Sequence, residues 1–164
     1  MSRGLGDVYK RQFEYCSALP SVSFPEMAGS IGGLAFNGCT SLTSVSFPEM
    51  AGDIGGRAFE FCASLTSVSF PKMAGNIGED AFKLCRSLTS VSFPRMAGDI
   101  GGYAFYGCYS LGESDPETTV IFAGTQSFSR LDTWNGVGTS GGRVPVTVGD
   151  NRLQFTNGTS GVPE

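Results

Sequence analysis

The chain repeats itself every 23 residues, and that period constrains its fold more than any other feature. "SLTSVSFPEMAGDIGGRAFEFC", Ser41 to Cys62, returns as "SLTSVSFPKMAGNIGEDAFKLC", Ser64 to Cys85, and again as "SLTSVSFPRMAGDIGGYAFYGC", Ser87 to Cys108. A diverged copy, "ALPSVSFPEMAGSIGGLAFNGC", precedes all three. Tandem units of 20–50 residues build solenoids, because each unit can bury its apolar face only by stacking on its neighbours.

Within a unit, L-x-x-V-x-F-P puts Val45 and Phe47 on one face of a short strand and Ser44 and Ser46 on the other. Pro48 ends the strand because it lacks a ladder donor. The Ala-Gly-x-Ile-Gly segment turns the chain at Gly52 and Gly55. Ala58 and Cys62 are spaced i, i+4, which predicts one helical turn before the next strand. Stacked coils of this kind give a parallel sheet with strands about 4.8 Å apart. Leu, Val, Ile and both Phe of each coil then point inward. At about 1.5–3 kcal/mol per large apolar side chain, four or five coils offset an ordering entropy that one coil could not.

The pattern L-x-x-V-x-F-P followed by I-G-x-x-A-F-x-x-C-x-x-L, at Leu42–Leu65, Leu65–Leu88 and Leu88–Leu111, resembles the BspA-like leucine-rich repeat of bacterial and protist surface proteins. The likeness runs from Phe13 to about Leu111. It implies an α/β repeat solenoid, a right-handed leucine-rich-repeat-like coil with a parallel sheet and a β-rich C-terminal cap. Ala28, Ala51, Ala74 and Ala97 stand where the family has a larger aliphatic, and the neighbouring Met27, Met50, Met73 and Met96 are expected to supply that volume.

All five cysteines (Cys16, Cys39, Cys62, Cys85, Cys108) fall on the period. Thiols at equivalent places on successive coils point the same way, whereas a disulfide needs converging Cβ vectors. The chain has no histidine to complete a metal site or serve a catalytic thiol. The expectation is five reduced, buried, space-filling cysteines.

The array is bounded by unlike sequence. Residues 1–12, "MSRGLGDVYKRQ", share nothing with the repeat, which begins in mid-unit where "FEYC" at Phe13 aligns with "FEFC" at Phe59. "DVYKRQ" resembles a translated sequencing-adapter end. Residues 1–12 are set aside as a non-native leader, with a polar tail as the alternative. Residues 13–122 are read as the solenoid and 123–164 as a cap of helix plus β-hairpin. After the break at Gly112–Thr118, Val120 and Phe122 match Val91 and Phe93 at a shift of 29 residues, implying a six-residue insertion before a last strand. Phe128, Leu131 and Trp134 have helical spacing, with Trp134 as the lid, and Gly124 and Thr125 resemble the family's ending. Val144, Val146 and Val148 alternate, Gly149–Asn151 turns, and Leu153 and Phe155 alternate back. The alternative is that Val144 begins a further small β-domain.

Function is read by exclusion and from the surface. The net charge of −4 with no basic patch argues against nucleic acid, and no apolar run is long enough for a membrane span. No histidine, clustered carboxylates or nucleophile–base pair recurs, so no enzyme and no cofactor is expected. Gly136–Gly141 matches G-x-G-x-x-G without a βαβ context and reads as linker. Asn157-Gly-Thr159 is a sequon by letters and reads as a turn, and Asp115 and Glu117 read as loop solvation. The outward strand face carries Ser21/Ser23, Ser44/Ser46, Ser67/Ser69 and Ser90/Ser92, flanked by Thr43, Thr66 and Thr89. Tyr103, Tyr106 and Tyr109 add exposed aromatic anchors. The varying positions 34/57/80/103, 37/60/83/106 and 26/49/72/95 read as solvated drift between duplicated units, with a repetitive binding surface as the functional alternative. The expectation is a non-catalytic binding or adhesion module for protein or glycan, placed at a cell surface or outside the cell by the resemblance alone. A structural spacer within a larger surface protein is the alternative, and ordered-water binding by the hydroxyl array is a distant third. An open first coil, with Phe13 and Tyr15 short of neighbours, predicts self-association through that end.

Overall fold

The computed structural model describes residues 11–93 and 98–111, and the backbone of three further strands within 120–157. Four short strands, β1 (Ser21–Ser23), β2 (Ser44–Ser46), β3 (Ser67–Ser69) and β4 (Ser90–Phe93), recur on the period of the sequence. They pair in parallel, Ser21 beside Ser44, Ser44 beside Ser67 and Ser67 beside Ser90, so each residue lies next to its own copy. The strands stay short because a proline follows the inward Phe at Pro25, Pro48 and Pro71 and removes the next donor.

The coils are hydrogen-bonded on two further sides. Ile31, Ile54, Ile77 and Ile100 form a row of parallel bridges. The glycine after each isoleucine is required by close approach. A Cβ on Gly78 would lie 2.4 Å from the Gly56 amide nitrogen, and one on Gly55 would lie as close to that of Gly33.

The third side corrects the expected helical turn: no helix occurs among the described residues, and Ala58 to Cys62 is a run of tight turns. Arg57 and Phe61 take positive φ (58° and 63°), which a right-handed helix cannot contain. Alternate amides divide their labour. Those of Arg57, Phe59 and Phe61 donate to Glu79, Ala81 and Lys83 in the next coil, while those of Ala58, Glu60 and Cys62 donate three residues back. A helical turn would aim all six inward along the chain and leave none for the neighbouring coil. Cross-coil bonding wins at every copy, with φ positive again at Leu34, Asp80 and Tyr103. The same ladder includes Arg11, whose amide donates to Gly33.

The core lies between these three walls. Phe24, Phe47, Phe70 and Phe93 stack at centroid distances of 5.4, 5.7 and 5.5 Å. A second column, Phe13, Phe36, Phe59, Phe82 and Phe105, stacks at 5.2 to 5.3 Å. Val68, Val91 and the leucines 42, 65, 88 and 111 are buried with them. Met50 and Met73 are buried while Ala51 and Ala74 are exposed, so methionine supplies the aliphatic volume as expected. Met96 and Ala97 lie outside the described residues.

Beyond β4, strand β5 (Val120–Phe122) pairs in parallel with Val91 beside Val120 and Phe93 beside Phe122. That is the 29-residue register read from the sequence. Strands β6 (Arg143–Val148) and β7 (Arg152–Asn157) form the expected antiparallel hairpin. β7 continues the sheet against β5, giving the order β1-β2-β3-β4-β5-β7-β6. Asn157 ends β7 and so falls on a strand rather than in a turn. Asp115, Glu117, Gly124, Thr125, Phe128, Leu131, Trp134 and Gly136–Gly141 lie outside the described residues.

Candidate functional site

The serine face follows from strand alternation. With the valine and phenylalanine of each strand turned to the core, Ser44, Ser46, Ser67 and Ser69 are exposed, and Ser90 and Ser92 are half-buried. None of these six hydroxyls bonds another described side chain or backbone group. The flanking threonines differ. Thr43, Thr66 and Thr89 each donate their hydroxyl to the carbonyl of the coil before, at Pro20, Thr43 and Thr66, over 2.9, 3.2 and 3.0 Å. The threonines therefore tie coils together, and the serines form the polar rows that stay uncommitted among the described residues.

The tyrosines occupy a different place, on the turns rather than the strands. Tyr103 and Tyr106 meet edge to face, centroids 5.9 Å apart at 80°. Tyr103 is 41 % exposed, Tyr106 is half-buried, and Tyr109, at 39 %, stands apart from that pair. The structure thus separates the sequence-derived candidates into a serine face on the strands and an aromatic patch on the turns at 103–109.

Sequence reasoning missed a third feature. Positions read as solvated drift carry a partly buried charge lattice: Glu60 is 7 % and Asp80 4 % exposed. Arg57 Nε lies 3.3 Å from Asp80 Oδ2 and 3.9 Å from Glu60 Oε2. Lys83 Nζ lies 3.2 Å from Asp80 Oδ1 and 3.7 Å from Glu60 Oε1. Asn37 Nδ2 donates to Glu60 Oε2 over 3.0 Å. The available signal was sign: Arg-x-x-Glu in one coil faces Asp-x-x-Lys in the next. A polar ladder also went unread. The amides of Asp53, Asn76 and Asp99 donate to the side chains of Ser30, Asp53 and Asn76, the residues one coil earlier.

The cysteines are structural, with one correction. Cys39, Cys62, Cys85 and Cys108 are free and buried, but Cys16 is exposed, because no described coil covers that side of it. Each buried thiol also donates to a phenylalanine carbonyl 26 residues earlier, from Cys39 to Phe13 over 3.0 Å through Cys108 to Phe82 over 3.1 Å. They therefore bridge coils as well as filling space. Burial pushes the Cys39 thiol up to about 11 and those of Cys62, Cys85 and Cys108 well above the ordinary thiol range. Thiols so hard to ionise are poor nucleophiles. Among the described residues no cluster of His, Cys, Asp or Glu is placed to hold a metal, and no helix is long and apolar enough to cross a membrane.

Near-identical coils stacked in register on three hydrogen-bonded walls, with polar rows outside, define a repeat solenoid. In that class, repeated surfaces serve as interaction or scaffold modules. The chain belongs to the BspA-type leucine-rich repeat family: the family's repeat region, in six copies, matches residues 6–134. Among solved structures it is similar to a leucine-rich repeat protein of T. pallidum (TpLRR), at 22% identity over 71% of this chain and 78% of that one, with a TM-score of 0.35. No curated protein matches the chain.

Proposed function

We propose that the chain is a non-catalytic binding or adhesion module, displayed at a cell surface or secreted, that recognises protein or glycan through its serine rows. The observation that carries this reading is the set of hydroxyls on β2 to β4 that no bond among the described residues consumes. Free hydroxyls at a repeat of about 4.8 Å suit weak, periodic polar contacts that strengthen as more coils engage. Tyr103, Tyr106 and Tyr109 add aromatic anchors on the turn wall that follows β4. The surface location rests on the family.

The test is binding of the purified chain to a glycan array and to a panel of extracellular proteins, against the double variant Ser67→Glu/Ser69→Glu. Both positions are exposed, so the fold should hold. At least a tenfold loss on substitution supports the reading, and binding indifferent to it refutes it. A spacer role is the second reading, favoured by the uniformity of the coils. It predicts no ligand on either panel.

A further inference from the structure

Most of each coil is blind to its place in the stack. Phe47, Ile54, Phe59 and Cys62 recur unchanged as Phe70, Ile77, Phe82 and Cys85. An apolar core made of copies packs any coil against any other almost equally well. Repeat arrays of that kind are prone to wrong docking during folding, within a chain and between chains. Something must distinguish one coil from the next.

We infer that Arg57, Glu60, Asp80 and Lys83, with Asn37, decide which coil docks on which. These residues sit on two columns of the turn wall, where a side chain faces the equivalent position of the adjacent coil. Between the Arg57 coil and the Asp80 coil the order of signs inverts, so each charge meets its opposite both along its own coil and across to the next. Asn37, on the preceding coil, presents a neutral donor to Glu60.

Other pairings fail. The Arg57 coil docked on the Arg57 coil of a second copy sets guanidinium on guanidinium and Glu60 on Glu60. The Asp80 coil docked on its own copy sets Asp80 on Asp80 and Lys83 on Lys83. The Leu34 coil docked directly on the Asp80 coil puts an aliphatic chain over Asp80 in place of Arg57, and Asn37 over Lys83. Each leaves a carboxylate that the native stack nearly closes off from water without its cross-coil cation, and an uncompensated buried charge is costly. The pairs need not raise the stability of the correct stack, because replacing an ion pair by a well-fitted neutral pair is often neutral or better. Their effect falls on the alternatives, as a polar residue in a coiled-coil seam fixes register. The exposed Glu49–Lys72 pair adds one further opposite-sign contact between the same two coils, with weaker force, being open to solvent.

The test is refolding of the full chain from urea over a hundredfold range of protein concentration, followed by size-exclusion chromatography with light scattering. Protein that was never unfolded serves as the reference. A neutral polar variant, Arg57→Gln/Glu60→Gln/Asp80→Asn/Lys83→Gln, adds no apolar surface. It should keep the circular dichroism and urea midpoint of the parent, but its recovery at the reference position should fall several-fold as concentration rises. The full sign swap, Arg57→Asp/Glu60→Lys/Asp80→Arg/Lys83→Glu, restores every opposite pairing and should recover as the parent does. A neutral variant that refolds as homogeneously as the parent overturns the inference, as does a swap that misassembles as badly as the neutral chain. If the neutral chain does not fold, the half swap Arg57→Asp/Glu60→Lys decides. It has the same net charge and sets like on like, so recovery equal to that of the full swap also overturns the inference.

Discussion

Replacing Phe70 by alanine is the most direct probe of the stack. The ring is fully buried and sits between Phe47 at 5.7 Å and Phe93 at 5.5 Å, with Phe59 tilted against it at 6.5 Å. Truncation removes the burial of a whole aromatic side chain and opens a cavity that coils on both sides cannot close, since their spacing is fixed by the hydrogen-bonded walls. Such a site lies in the range of about 3–5 kcal/mol for Phe→Ala, and three lost ring contacts place it toward the upper half. Phe24 is only half-buried, so less of its ring leaves water on folding and Phe24→Ala should cost roughly half as much. Ser69→Ala, one residue from Phe70 on the opposite face, should change stability by less than about 0.5 kcal/mol. Urea unfolding followed by circular dichroism and tyrosine fluorescence gives all three values. At a slope of about 1–3 kcal/mol/M the Phe70 change moves the midpoint by more than about 1 M. Equal losses for Phe70→Ala and Ser69→Ala would show that the strand faces are assigned wrongly. Equal losses for Phe70 and Phe24 would show that the coils do not share their burial across neighbours.

Native protein treated with a thiol reagent at pH 8 should label Cys16 alone, and urea-denatured protein all five cysteines; labelling of Cys62 or Cys85 in the native state would contradict their burial. The buried thiols' folded values lie above the unfolded one, so the stability they carry is intact at neutral pH and falls as pH rises past about 9, where unfolded thiols ionise first. Cys85→Ala should lessen that alkaline slope, by an amount that approaches about 1.4 kcal/mol per pH unit once the unfolded thiol is ionised, measured as urea midpoints between pH 8 and 10. Gly78→Ala drives a Cβ into the backbone of the adjacent coil and should cost more than about 2 kcal/mol. Gly29→Ala, where nothing lies within 4 Å, should be neutral or slightly stabilising. Asn76→Asp sets a third carboxylate between Asp53 and Asp99 in the side-chain ladder; a loss of about 0.5–1 kcal/mol at low ionic strength, mostly recovered in 1 M salt, is expected from thermal melts.

The period, the strands and the inward residues were legible because alternation survives in every copy: Val45 and Phe47 cannot both face the core unless Ser44 and Ser46 face out. The helical turn was misread because Ala58 and Cys62 have the same spacing in a helix as in two linked tight turns. What separates the two is the φ of Arg57 and Phe61, and neither residue announces a left-handed backbone as glycine does at the equivalent Gly38 and Gly107. The exposure of Cys16 was hidden for a different reason. Position on a period says which residues are equivalent, but burial also depends on having a coil on each side. Of the candidate surface, the exposure of the serines was legible and the engagement of the threonines was not, since a donor reaching 23 residues back appears only once coils are stacked. The charge lattice could have been read from the paired signs at 57/60 and 80/83. Divergence between copies looks like drift until neighbours are set side by side.

The hydrogen bonds that join the coils run along the axis of the stack, so a load applied between its two ends meets them head-on, a few at a time. A solenoid held this way peels instead of shearing. Each coil that comes free releases 23 residues of chain, the offset between Ser44 and Ser67, or about 80 Å of extended length. The step from β4 to β5 is longer, because Val91 and Val120 are 29 residues apart, and releases about 100 Å. Pulled from its ends, the chain should therefore lengthen in near-equal increments, coil by coil, while the coils still stacked keep their bonds.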